Sequence, residues 1–76
     1  MSQKVIDTIL QVAKDNNIKL DPNNLNVTLK DIGVDSLAMM DLIFKVEEQL
    51  GVQLPDEVLV KIKNLNDLIN AFDAIL

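Results

Sequence analysis

Three stretches of this chain carry apolar residues at the three-and-four spacing of an amphipathic helix, and the sequence offers no other means of holding the chain together. In the first stretch Val5, Ile6, Ile9, Leu10, Val12 and Ala13 recur on one side, while Lys4, Asp7, Gln11 and Lys14 cover the other. A chain of 76 residues is marginal by core size and normally leans on disulfides or a structural metal, yet this one has no cysteine and no histidine. Stability must therefore come from efficient helix packing. Hydrophobic residues make up 49 % of the chain, a globular level. The pattern predicts an all-α fold: a four-helix bundle of three main helices plus a short third one, with a long first loop.

The first helix is expected over about residues 3–16, ending at Asn16-Asn17. A connection over roughly residues 17–35 follows. It holds the turn signal Asp21-Pro22-Asn23-Asn24, and Gly33 near its end. Ile18, Leu20, Leu25, Val27, Leu29, Ile32 and Val34 are spaced along it and are expected to pin it onto the helices. Thr28-Leu29-Lys30-Asp31 reads as one helical turn with a threonine cap. The second helix is expected over residues 36–50, stopped by Gly51. Leu54-Pro55-Asp56-Glu57 opens the short third helix, with proline and two acids in its first turn. The last helix runs over about residues 65–76, capped by Asn64, with Leu65, Leu68, Ile69, Phe72, Ile75 and Leu76 as its buried stripe. There is no internal repeat or low-complexity tract, so residues 1–76 read as a single domain.

The second helix carries the functional signal. On a wheel at 100° per residue, Ala38, Met39, Leu42, Ile43, Val46 and Leu50 form the core face. Leu37, Met40 and Phe44 fall on the opposite side, among Asp41, Glu47 and Glu48. Apolar groups set among carboxylates suit protein docking, the former supplying contact area and the latter steering. Met40, Asp41, Phe44, Glu47 and Glu48 are therefore the candidate partner-binding residues. Leu37, at the helix start, is expected to pack under the long loop or the third helix.

Ser36 stands at the start of that helix, after Gly33-Val34-Asp35. A helix N-terminus offers free backbone N–H groups and the positive end of the dipole, so a phosphate esterified there would be well placed. On pattern alone Ser36 or Asp35 is a simple N-cap. Other chemistries fail on residue type. With no histidine, and with Gly33-Val34-Asp35-Ser36 unlike a Gly-x-Ser-x-Gly elbow, Ser36 is no esterase nucleophile. A calcium loop starting at Asp15 would place Lys19, Leu20 and Asn26 where an acid, glycine and glutamate are needed. No metal site is expected. Twelve acids against seven lysines give a net charge of −5. That balance repels nucleic acid and anionic membrane surfaces, and favours basic protein partners. The start Met1-Ser2-Gln3-Lys4 leads directly into the first amphipathic pattern, and no signal peptide or membrane span is visible. A cytoplasmic monomer is the expectation.

Asp35-Ser36-Leu37, preceded by Asp31-Ile32-Gly33-Val34, resembles the acyl carrier protein family, in its free-standing bacterial type II fatty-acid-synthesis form. The resemblance spans nearly the whole chain. It includes the acidic second helix with Glu47-Glu48, then Leu54-Pro55-Asp56-Glu57, and the capped last helix. It implies that Ser36, within a motif flanked by Asp35 and Leu37, receives 4′-phosphopantetheine from coenzyme A. It also implies a carrier of acyl thioesters, not an enzyme, serving fatty acid biosynthesis. The implied partners are a phosphopantetheinyl transferase and acyl-transferring and chain-elongating enzymes with basic docking patches. Two departures stand out. Ala38 occupies a position where many fatty-acid members carry an acid, and Val58-Leu59-Val60-Lys61-Ile62-Lys63 is less acidic than is common. A carrier for a polyketide or other specialised acyl pathway, and an unmodified helical interaction module, are the alternatives. Val34-Asp35 before the serine argues against a peptidyl carrier, in which Gly-Gly-x-Ser is usual.

Overall fold

A computed structural model describes residues 3–76; the lead-in Met1-Ser2 lies outside the described residues. Four α-helices follow one another: α1 (Gln3–Asp15), α2 (Ser36–Leu50), α3 (Asp56–Leu59) and α4 (Leu65–Ile75), with one 3-10 turn at Lys30–Ile32. This is the expected all-α bundle. Helix α1 packs against both α2 and α4. Its apolar stripe is the reason: Val5, Ile9, Val12 and Ala13 are buried against Leu42, Ile43 and Val46 of α2 and Leu65, Leu68, Ile69 and Phe72 of α4 in one core. Each fully buried leucine, isoleucine or phenylalanine contributes about 1.5–3 kcal/mol. Among the described residues no helix is long and apolar enough to cross a membrane.

Helix ends are set locally. At α1, Asn17 takes the left-handed conformation (φ 61). The Ile18 N–H donates to the Ala13 carbonyl at 2.8 Å and the Asn17 N–H to that of Lys14 at 3.1 Å, a Schellman closure. Helix α2 also ends on a left-handed residue, with both closing bonds on one carbonyl. Gly51 sits at φ 69, and the N–H groups of Gly51 and Val52 both donate to the Glu47 carbonyl, at 2.8 and 3.1 Å. Asn64 caps α4 by accepting from the Asp67 N–H at 2.7 Å. Pro55 stands just before α3 as its N-cap, not inside the first turn, and Asp56 is the first helical residue. Ile75 and Leu76 depart from the expected stripe: one is the last helical residue, the other its cap, and both are exposed.

The long connection is ordered by the side chains it carries. Leu29 and Val34 are buried, and Ile18, Leu20 and Leu25 pack partly against the core. Ile32 instead points outward and stays exposed. Backbone bonds tie the connection to the segment before α4. The Leu29 N–H donates to the Lys63 carbonyl at 2.9 Å, the Asn66 N–H to the Leu25 carbonyl at 3.0 Å, and Thr28 pairs with Asn64 in an isolated antiparallel bridge. These ties bring residues 28–30 alongside residues 62–64 and form one wall of the site.

Candidate functional site at the start of α2

Gly33 permits the turn into α2. It adopts φ 88 after the 3-10 turn, a backbone state open to glycine at little cost, and donates to the Lys30 carbonyl. Val34 is then buried, which fixes the approach angle of Asp35 and Ser36. Of the two candidate caps, Asp35 is the one used: its Oδ1 accepts from the Ala38 N–H at 2.8 Å. Ser36 becomes the first helical residue, exposed, and its hydroxyl has no hydrogen-bond partner among the described residues. The backbone N–H groups of Ser36 and Leu37 are likewise without partners there.

A cleft of about 390 Å³ opens beside Ser36. Thr28, Leu29, Lys30, Val34, Ile62 and Lys63 line it together, the two segments joined by the Leu29 to Lys63 backbone bond, and Asp35, Ser36 and Met39 line the α2 side. Leu29, Val34 and Ile62 are buried, so the cleft has an apolar floor beside the serine. The arrangement offers a free hydroxyl for esterification, two free N–H groups at the positive end of a 15-residue helix, and an apolar floor.

The candidate partner residues do not form one surface. Phe44 is 53 % exposed, and Glu48 lies in the open. Asp41 is exposed but engaged: its carboxylate pairs with Lys45 Nζ at 2.9 Å, and Lys45 also donates to Asn16 Oδ1, linking α2 to the end of α1. Met40 is half-buried against the core. Glu47 must be removed from the set. It is buried, 8 % exposed, and its carboxylate accepts the Leu54 N–H. Chain beyond Gly51 folds back over this end of α2 and covers it. Leu37 is corrected in the opposite direction: expected beneath a loop, it is 81 % exposed. The connection is instead anchored through buried Leu29 and Val34, which line the cleft beside Ser36 that Leu37 does not line. Leu37 and Phe44, seven residues apart and so about 20° apart round the helix, form an apolar ridge beginning next to the serine.

The geometry is thus an exposed serine at a helix start with an apolar-floored cleft beside it. Comparison with known proteins gives the class. Residues 3–72 match the family described as "Phosphopantetheine attachment site". Over its whole length the chain is 58 % identical to an acyl carrier protein homolog of Ureaplasma parvum, covering 99 % of that protein. It is 31 % identical over 70 residues to an acyl carrier protein homolog of Mycoplasma genitalium, which spans 90 % of this chain and 83 % of that one. It is 34 % identical over 71 residues to an acyl carrier protein of Rickettsia bellii, 92 % of this chain and 84 % of that one. The chain belongs to the acyl carrier protein family. Proteins of this family carry a covalently attached 4′-phosphopantetheine and act as acyl carriers.

Proposed function

We propose that residues 1–76 form a single acyl carrier domain that carries acyl intermediates of fatty acid biosynthesis, with Ser36 as the attachment residue for 4′-phosphopantetheine. The observation that carries this reading is the division of labour between Asp35 and Ser36. Asp35 takes the capping role that would otherwise hold the serine hydroxyl, and leaves that hydroxyl exposed. When bound, the group supplies a thiol on a flexible arm, on which acyl chains are held as thioesters. The chain itself contributes position: the Ser36 hydroxyl as anchor, the N–H groups of Ser36 and Leu37 toward the phosphate, and Leu29, Val34, Met39 and Ile62 as an apolar floor for cargo. No catalytic group is assigned, and the chain acts as a substrate for cytoplasmic enzymes. A phosphopantetheinyl transferase and acyl-transferring enzymes would meet it on the Leu37 and Phe44 ridge, with Glu48 as steering charge. A monomer suffices for this role.

The test is loading followed by melting. Apo protein incubated with coenzyme A and a broad-specificity transferase should gain one arm, mapped by mass spectrometry to Ser36 and absent from Ser36→Ala. An adduct on Ser2, the only other serine, overturns the assignment. Acyl groups of increasing length should then raise the melting temperature stepwise, since sheltering removes about 0.8 kcal/mol of apolar exposure per methylene. Identical melting of loaded and unloaded forms would point to a specialised pathway with more polar cargo.

A further inference from the structure

Ser36 lies in an acidic stretch. Asp31 and Asp35 precede it in a chain of net charge −5, and a phosphodiester esterified to its hydroxyl would add another negative charge close to them in sequence. The cleft supplies cations. Lys30 and Lys63 both line it together with Asp35 and Ser36. The two lysines come from segments far apart in sequence, and the Leu29 to Lys63 backbone bond of 2.9 Å roots them side by side on one wall. Neither ammonium has an ion-pair partner among the described residues. Asp67 Oδ2 accepts the Lys63 backbone N–H at 3.1 Å, not its ammonium. Lys45, by contrast, is committed to Asp41 and Asn16, and Lys14 and Lys19 line a different cleft at the end of α1.

We propose that Lys30 and Lys63 bind the phosphodiester of the arm carried by Ser36, an inference that rests on the assignment of Ser36 above. The phosphodiester is the one anion that attachment would place at this cleft whatever the cargo. A lysine is a point charge on a flexible four-carbon stem, so two of them rooted on one wall can close over an anion at the opposite rim. Their charge offsets that of Asp31 and Asp35. Leu29, Met39 and Ile62 line the same cleft and would offer the rest of the arm an apolar surface. The contact is solvent-exposed and therefore weak and salt-sensitive. That suits a carrier, which must release its arm to each enzyme in turn.

The experiment follows the lysine side chains directly. The chain has seven lysines and no arginine, so the ε-carbon and ε-proton signals of ¹³C-lysine protein form a small set, assigned with Lys30→Gln and Lys63→Gln. Apo and enzymatically loaded samples are compared, with the mass spectrum of each sample recorded. The expected result is movement of the Lys30 and Lys63 signals on loading, with Lys4, Lys14 and Lys19 unmoved. The movement should fall by more than half in about 1 M salt, where the Debye length is about 3 Å. The ³¹P signal of the loaded protein should shift in the double variant. A sample that carries the arm on Ser36 but whose Lys30 and Lys63 signals move no more than Lys4 overturns the inference alone. A sample with no arm on Ser36 overturns the attachment reading and the inference with it.

Discussion

A carboxylate stands at either end of α2, and each accepts one backbone N–H, yet they do different work. Asp35, at the start, bonds the Ala38 N–H at 2.8 Å and remains exposed. Glu47, in the last turn, bonds the Leu54 N–H and is buried. The Glu47 residue also accepts two further N–H groups at its carbonyl, from Gly51 and Val52. At the C-terminal end backbone, side chain and the turn toward α3 thereby satisfy one another, with the Glu47 carboxylate buried. The N-terminal end is satisfied only in part, by an exposed cap, and keeps a hydroxyl and two N–H groups open. One helix thus joins a fixed structural joint to an accessible site, and what separates them is burial of the group that takes the hydrogen bond.

The largest test of that contrast is Glu47→Ala. It leaves the N–H of Leu54, itself a buried residue, without an acceptor, and an unmet buried donor costs about 1–3 kcal/mol. Relief from burying a charge offsets part of this. A net loss of about 2 kcal/mol is expected, measured by urea unfolding. Glu47→Gln retains a carbonyl oxygen at the same reach and should lose about half as much. Equal losses in the two variants would show that side-chain packing, not the hydrogen bond, holds this joint.

Asp35→Ala gives the matched change at the open end. Removing an exposed N-cap costs about 1 kcal/mol, because water can reach the freed Ala38 N–H. Asp35→Asn should restore most of the loss, since asparagine caps equally well. If Asp35→Ala proves as damaging as Glu47→Ala in the same unfolding assay, burial is not what distinguishes the two ends.

The sequence made one end of α2 much easier to read than the other. Asp35, Ser36 and Gly51 act through neighbours within four residues, so local rules located both helix ends and the candidate serine. The core stripe Leu42, Ile43 and Val46 was equally legible, because helical periodicity puts these residues on one side. Glu47 was misplaced because its burial depends on chain beyond Gly51 returning over the helix, which no periodicity encodes. A clue existed: on the wheel Glu47 lies only about 40° from Ile43, at the border of the core face and not at its antipode. Leu37 failed for the complementary reason, since its exposure depends on where the connection docks, and the backbone bond from Leu29 to Lys63 helps set that from afar in sequence. The cleft wall pairing residues 28–30 with residues 62–64 was illegible from sequence, being a contact between two irregular segments.

Leu37→Ser probes the open end where the smallest change in stability is expected. A leucine 81 % exposed makes few contacts to lose, so unfolding free energy should move by no more than about 0.5 kcal/mol. The effect should appear in association instead. Leu37 is the residue next to Ser36 and begins the ridge that continues to Phe44, the surface on which we propose an enzyme acting on the serine hydroxyl would dock. Losing an apolar anchor from such a contact costs about 1 kcal/mol or more, which corresponds to a fall of at least roughly fivefold in kcat/KM for transfer from coenzyme A. The measurement pairs that rate with the urea midpoint of the same protein. A variant that is modified at the wild-type rate would remove Leu37 from the docking surface. A variant destabilised by more than about 1 kcal/mol would mean that Leu37 is covered after all, and that the two ends of α2 differ less than their carboxylates suggest.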